Sequence, residues 1–491
     1  MKNFIFLLML VAGCYLGAQQ NQGELSFTRG VNHGIQGTFY GGVAIGDFDE
    51  DGLLDIVTIG AIKQVMTPIP FTLVIESNLH INNGDRTWSA STPFQHLAAY
   101  AGGRPIVTDF NNDGHLDVFI SGFFESYNEN PENFKSFLYL GNGDGTFIES
   151  EVIFPWASFY TDAFGLDFDS DGNTDLVFIW VDPNDRGKTK IKLARNNGDG
   201  TFTEVISNLP NLSGEHYFGT AFADIDGNGY PDIFYGGFGP TRLFLNYGSG
   251  NFEEVINPVL TGGGQLIPFP QVGFVTYAVG DINGDGLPDF VLSHDGDQTL
   301  FYANNGDNSF SLLQQFNWTS DTIFLHDFDG DGYDEFYAEA ANNDGDGRLF
   351  LNDGGTFSLN NALLLEQVSG GSAIAADFDG DGDDDLFYMG KHPETDFAEA
   401  EIYFSNLIMG TSDQGENKLS VRVYPNPTSG VLYLESDMRL ESFELYALTG
   451  AQVSKGALHE NRISLENLPA GVYILKVHDG KKVFTQKVIK K

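Results

Sequence analysis

Short apolar runs rich in Phe, Ile, Val and Tyr alternate with clusters of Gly, Asn and Asp along residues 24–406. Runs of this length bounded by turn residues predict β-strands. No segment shows the apolar period of an amphipathic helix, so helix should be scarce. One stretch displays the pattern clearly: FGTAFA (218–223), DIFYGG (232–237), TRLFLN (241–246) and NFEEV (251–255) read as four consecutive strands. The turn before the last strand recurs as NNGDRTW (82–88), NGDGTF (142–147), NGDGTF (197–202), YGSGNF (247–252), NGDNSF (305–310) and NDGGTF (352–357). Repeated four-strand units of this size predict an all-β fold, a β-propeller with one blade per unit.

Between the first and second strands of each unit lies an acidic loop, and there are seven of them, starting at Asp47, Asp109, Asp167, Asp224, Asp281, Asp327 and Asp377. Their starts are 62, 58, 57, 57, 46 and 50 residues apart. Each places oxygen-bearing side chains at loop positions 1, 3, 5 and 9, a glycine at position 6, and a backbone carbonyl at position 7. The first offers Asp47, Asp49, Asp51, Leu53 and Asp55, and the second Asp109, Asn111, Asp113, His115 and Asp117. The third offers Asp167, Asp169, Asp171, Asn173 and Asp175, and the fourth Asp224, Asp226, Asn228, Tyr230 and Asp232. The fifth offers Asp281, Asn283, Asp285, Leu287 and Asp289, and the sixth Asp327, Asp329, Asp331, Tyr333 and Glu335. The seventh offers Asp377, Asp379, Asp381, Asp383 and Asp385. All-oxygen sets of this kind suit a hard cation with six to eight ligands, so up to seven structural Ca²⁺ ions are expected. Asn111, Asn228 and Asn283 keep an oxygen but remove a charge, which should weaken their loops. An EF-hand is excluded, because β-runs rather than helices flank the loops.

Six recurring turns serve seven loops, so the last unit lacks an outer strand. ELSFTRG (24–30) stands ahead of the first unit and is the candidate to supply it, pairing around Ile402–Ser405 and closing the ring. Closure would leave no open blade edge. The charge pattern marks a second boundary. From Lys418 onward there are 11 Lys+Arg against 7 Asp+Glu, while the rest of the chain holds 14 against 61. Residues 19–408 therefore read as the propeller, 409–419 as a polar linker, and 420–491 as a small β-sandwich of alternating strands. The acidity disfavours nucleic acid as a partner. At the N-terminus, Lys2 and the apolar run Phe4–Ala12 read as an export signal, cleaved after Ala18 so that 1–18 is removed. Val11-Ala12-Gly13-Cys14 also reads as a lipobox, which would instead lipidate Cys14. Cys14 is the only cysteine, so no intramolecular disulfide forms. No stretch is long and apolar enough for a transmembrane helix.

The acidic loops set between β-runs and followed by NGDGTF-type turns resemble the FG-GAP/VCBS repeats of integrin α-chain propellers and their bacterial relatives. The resemblance implies a seven-bladed propeller with Ca²⁺ held between the first and second strands of each blade. Val423-Tyr424-Pro425-Asn426-Pro427, LPAGVYILKV (468–477) and the Lys-rich end resemble a type A sorting domain of the Bacteroidota type IX secretion system. That second resemblance implies outer-membrane passage and removal of the domain by a sortase-like peptidase. The product would be secreted or anchored at the outer cell surface.

The metal loops should occupy one face of the ring and a ligand the other. Tyr40, Tyr160, Tyr217 and Phe274 stand seven residues before their loop aspartates, with Tyr100 two residues further out. They should start the innermost strands, where aromatic rings either contact a glycan or protein partner or pack between blades. Catalytic signals are sparse: His115 and His326 belong to the loop framework, and only His216 and His294 fall near the ligand face. The preferred reading is a non-enzymatic, secreted or surface binding and adhesion protein. The alternative is a carbohydrate-active enzyme, a polysaccharide lyase or hydrolase. Fold alone does not separate the two.

Overall fold

The computed structural model describes residues 25–65, 72–94, 104–123, 134–156, 162–181, 188–213 and, apart from short interior stretches, 219–406 and 421–491. The expected export segment 1–18, with Cys14, and the expected linker 409–419 lie outside the described residues. The chain divides into two compact units, Met1–Met409 and Gly410–Lys491. The described residues are all strand, turn and irregular structure, with no helix.

Seven sheets of the first unit are each built on four antiparallel strands, and Gly239–Pro240 pairs separately with Gln271–Val272. Blade 4 is typical, with strands Thr220–Ala223, Asp232–Tyr235, Arg242–Asn246 and Phe252–Val255 in that order. The innermost strands of the seven blades are Phe39–Gly46, Ile106–Thr108, Asp162–Leu166, Thr220–Ala223, Val275–Gly280, Ile323–His326 and Ser369–Ala376. Six of the seven neighbouring pairs pack strand on strand around the ring, the last against the first included. At the remaining junction Phe164 meets Phe222, with ring centroids 4.8 Å apart. The ring is closed.

Second strands sit between neighbours on both sides and between blades on both faces, so their apolar runs are continuous. Asp289–His294 and Glu335–Ala338 are buried at every position. Outer strands meet solvent on one side; Phe252–Val255 carries one buried residue, and Phe310–Phe316 mixes buried, half-buried and exposed ones. The core accordingly lies between blades as a series of aromatic-rich wedges. One wedge joins Phe234 and Leu243 of blade 4 to Phe290 and Tyr302 of blade 5, and another joins Val57 and Leu79 of blade 1 to Val118 and Tyr139 of blade 2.

The seventh blade takes its outer strand from the other end of the chain. Phe27, Thr28 and Arg29 pair with Ser405, Phe404 and Tyr403. Arg29 reinforces the pairing with two 2.7 Å hydrogen bonds to Glu401 and one of 2.5 Å to Glu366. Blades 3 and 5 depart from the four-strand pattern. Leu212–Ser213 pairs with the third strand of blade 3. Leu260–Gly262 adds in parallel to the outer strand of blade 5 and pairs in turn with Gln265–Leu266. These additions are two or three residues long and lie in Gly- and Pro-rich sequence without alternation, so no sequence pattern marks them.

The second unit holds a three-stranded sheet (Val421–Tyr424, Val431–Ser436, Arg462–Ser464) and a four-stranded sheet (Gln452–Ala457, Ser442–Ala447, Gly471–His478, Val483–Lys490). Leu432, Leu434 and Ile463 from the first share one core with Leu445, Leu475 and Val488 from the second. Two sheets facing one apolar layer form a small β-sandwich.

Candidate metal centres

Each acidic loop joins the first strand of a blade to the second, and its shape is set by a repeated set of hydrogen bonds. The position-1 aspartate accepts from the position-6 glycine N–H in all seven loops, at 2.8–3.1 Å. The position-7 N–H donates to the position-5 side chain, again in all seven, at 2.8–3.1 Å. These are Asx-type turns, which is why Asp and Asn recur here. Position 6 needs glycine because its backbone is left-handed, with φ 94° at Gly52 and 100° at Gly382. The apolar residue at position 2 anchors the loop below: Phe48, Phe110, Phe168, Ile225, Ile282, Phe328 and Phe378 are all buried between blades.

The position-9 carboxylates do most to define the site. Asp55, Asp117, Asp175, Asp232, Asp289, Glu335 and Asp385 are all buried. One oxygen of each accepts from the position-2 N–H at 2.8–3.2 Å. The other accepts from the N–H of the residue ending the third strand, at 2.7–3.3 Å. One side chain thereby ties the second strand of its blade to the acidic loop and to the end of the third strand. Burial pushes these carboxyls far above the ordinary range, to about 7 in Asp55, Asp117, Asp232, Asp289 and Asp385. Asp175 rises to about 8 and Glu335 to about 9, neighbouring carboxylates adding to the effect of burial. A divalent cation beside them would reverse that shift by favouring the charged form.

Five loops bring three carboxylates together: Asp47, Asp49 and Asp55; Asp167, Asp169 and Asp175; Asp224, Asp226 and Asp232; Asp327, Asp329 and Glu335; Asp377, Asp379 and Asp385. Within each group one oxygen of every residue lies within 4.8 Å of the others. That separation is about twice a Ca²⁺–oxygen distance, so one ion could touch all three. Asp47 Oδ1 and Asp169 Oδ1 are buried and have no hydrogen-bond partner among the described residues. Like charges packed this closely, with unsatisfied oxygens, fit a hard divalent cation. The position-5 carboxylates Asp51, Asp171, Asp331 and Asp381 stand outside these groups, and they and Asn228 turn Oδ1 to the position-7 N–H.

The other two loops carry asparagine at position 3. Asn111 Nδ2 donates to Asp113 at 2.9 Å, and Asn283 Nδ2 donates to Asp285 at 3.0 Å. Their remaining hydrogen bonds match those of the five, so the turn survives the loss of charge.

Neighbouring loops are stitched together by asparagines that the sequence shows only as turn residues. Asn82, Asn196, Asn246, Asn304 and Asn352 end third strands, and each sends Nδ2 to the position-2 carbonyl of the preceding loop around the ring, at 2.8–3.0 Å. Their placement just before each NGD-type turn was the available signal. Side chains add further links: His115 pairs with Glu50 at 2.6 Å, and His326 with Asp384 at 2.7 Å. Both histidines belong to the loop framework.

Of the ligand-face aromatics, Tyr40 is described and Tyr100, Tyr160, Tyr217 and Phe274 lie outside the described residues, as does His216. Tyr40 starts the inner strand of blade 1, at the opposite end from the Asp47 loop. It is 39% exposed, holds a left-handed φ of 54° and packs edge-on against Phe39 at 5.1 Å. His294 is buried at the end of its strand.

A model of the FG-GAP-like repeat matches residues 167–235, 224–273, 281–338 and 327–388, and one of the secretion system C-terminal sorting domain matches 422–491. The chain carries FG-GAP-like repeats and a C-terminal sorting domain. Every FG-GAP match begins on a position-1 aspartate, so the repeat unit and the metal loop share one register. Human integrin alpha-8 is 25% identical over 209 residues, 39% of this chain, and the mouse protein is 26% identical over 211 residues. The matched part spans 19% of either integrin chain. Among solved structures, an Agrocybe aegerita lectin that recognises non-reducing terminal N-acetylglucosamine aligns with a TM-score of 0.43 at 20% identity, over 68% of this chain and 79% of its own. PorZ, a surface component of the type IX secretion system of Porphyromonas gingivalis, aligns with a TM-score of 0.40 at 13% identity, over 88% of this chain and 60% of its own. No helix among the described residues is long and apolar enough to cross a membrane.

Proposed function

We propose that this sorting-domain propeller is a Ca²⁺-stabilised binding or adhesion protein, secreted or held at the outer cell surface. The repeated carboxylate groups carry the reading. They occupy hairpins between first and second strands, where an ion would cross-link neighbouring strands rather than meet a substrate. The ions are therefore structural, up to seven, and a partner would use the opposite end of the inner strands. Tyr40 supports that placement: a half-exposed ring in a strained backbone conformation is a common feature of contact surfaces. The partner is a glycan or a surface protein. The sorting domain delivers the propeller to the type IX machinery and its sortase-like peptidase after export by the segment 1–18.

A glycan array probed with the purified mature chain, run beside lyase and hydrolase assays on the glycans retained, tests this reading. Retention without turnover, weakened by Tyr40→Ala, is the expected result. Turnover of a retained polysaccharide would replace it with a carbohydrate-active enzyme.

A further inference from the structure

The position-3 aspartate of the seventh loop already has a cation. Arg86, in the outer turn of blade 1, pairs through Nη2 with Asp379 Oδ2 of blade 7. The Asp379 side chain is 4% exposed and that of Arg86 48%, so a half-exposed guanidinium forms an ion pair with a buried oxygen of the ion-binding group. Phe404 steadies it, with the Arg86 Cζ 4.4 Å from the ring centroid. The corresponding position-3 aspartates of the other carboxylate groups, Asp49, Asp169, Asp226 and Asp329, have no paired Lys or Arg among the described residues. Asp169 feels Arg195 only at longer range.

The backbone at Arg86 indicates that this arrangement is costly to keep. Its φ is 65°, left-handed; the matching turn positions in blades 2, 3 and 4 are Gly145, Gly200 and Gly250, with φ of 75°, 76° and 81°, and in blade 5 Asn308, at 63°, a residue type that tolerates this conformation better than arginine. A non-glycine residue there costs roughly 1 kcal/mol, and glycine would serve the turn without that strain. The pair also sits at a particular place. It spans the junction between the last and first blades, where Asn82 Nδ2 donates to the Phe378 carbonyl at 2.9 Å.

We propose that Arg86 is a built-in counter-cation of the seventh loop, making it a weaker divalent-ion site than the other carboxylate groups and holding the closing junction together when ions are scarce. The guanidinium and the ion compete for Asp379. A bound ion must displace Arg86 or share the carboxylate with a positive charge beside it. The junction between blades 7 and 1 is then less dependent on ions than the others. This inference rests on the ion-binding reading above.

The test counts ions retained by the purified mature chain at buffered, low free Ca²⁺, using elemental analysis, in wild type and R86G. R86G is expected to retain about one more ion per chain, with roughly tenfold tighter binding at that site. After chelation it should be cut faster by protease between residues 30 and 39, where the chain passes from the seventh blade to the first. If R86G does not fold, R86Q, which keeps a stem over Phe404 and removes the charge, is measured in its place with the same expectation. Equal retention by wild type and the variant overturns the inference. A wild type that retains no Ca²⁺ under saturating conditions overturns the ion-binding reading instead.

Discussion

The Asp47 loop and the Asp109 loop are neighbours built on one plan, and they differ at position 3. In the first, Asp49 joins Asp47 and Asp55 in a group of three carboxylates. In the second, Asn111 donates to Asp113 and leaves Asp109 and Asp117 with less negative charge to balance. Yet both place a glycine N–H on position 1 and two backbone N–H groups on position 9. Shape and charge are therefore separable. Backbone hydrogen bonds specify the turn, and the side chain at position 3 sets how much negative charge the loop gathers.

The strongest challenge to this comparison is at position 9. Replacing Asp55 or Asp117 by Ala leaves two buried N–H groups without partners. The expected cost is about 3 kcal/mol in both loops, read as a lower denaturation midpoint in chelator. Unchanged midpoints for both variants in chelator would mean that ion binding, not the turn, accounts for position 9.

The next effect is the pH response of the chelated protein. Burial raises the folded-state pKa of these carboxyls to about 7 in five of them, 8 in Asp175 and 9 in Glu335. The folded state then binds more protons than the unfolded chain between those values and about 4. Their contribution to stability is present at low pH and is lost as pH rises through about 7 to 9. Melting in EDTA should fall across that window. In excess Ca²⁺ the carboxylates stay ionised and this fall should vanish. Parallel profiles in both buffers would contradict the ion assignment.

Exchange at position 3 is smaller and separates the two loop classes directly. N111D and N283D should each tighten Ca²⁺ binding at one loop by about tenfold, while D49N and D169N should loosen it to a similar extent. Calorimetric titration reads these changes, and melting in chelator should barely move. The smallest effect belongs to the asparagine links: N196A and N246A each remove three hydrogen bonds to backbone groups, two donated by Nδ2 and one accepted by Oδ1, and should cost about 1–2 kcal/mol whether or not ions are present.

Much of this fold is legible in the sequence because its grammar repeats. Strand runs, NGD-type turns and acidic loops recur in register, and one unit read correctly reads all seven. The carboxylate groups were legible for the same reason at positions 1, 3 and 9. The turning of position 5 toward its own backbone was not, since spacing alone does not show which lone pair an Asx turn uses. Asn82 and its counterparts were hidden because an asparagine just ahead of an NGD-type turn is already accounted for by the turn, and its second partner lies in another blade. Arg86 was visible as a departure from glycine in NNGDRTW, but its partner Asp379 is remote in sequence. The added strands of blade 5 carry no alternation, and their pairing depends on tertiary context.

The strand Phe27–Arg29 sets a schedule for the molecule. It is the earliest strand described, and Arg29 finds Glu401 only across a separation of 372 residues. Until nearly all of that intervening polypeptide has been synthesised, the first blade has no finished neighbour on one side. The ring stays unlatched throughout that interval.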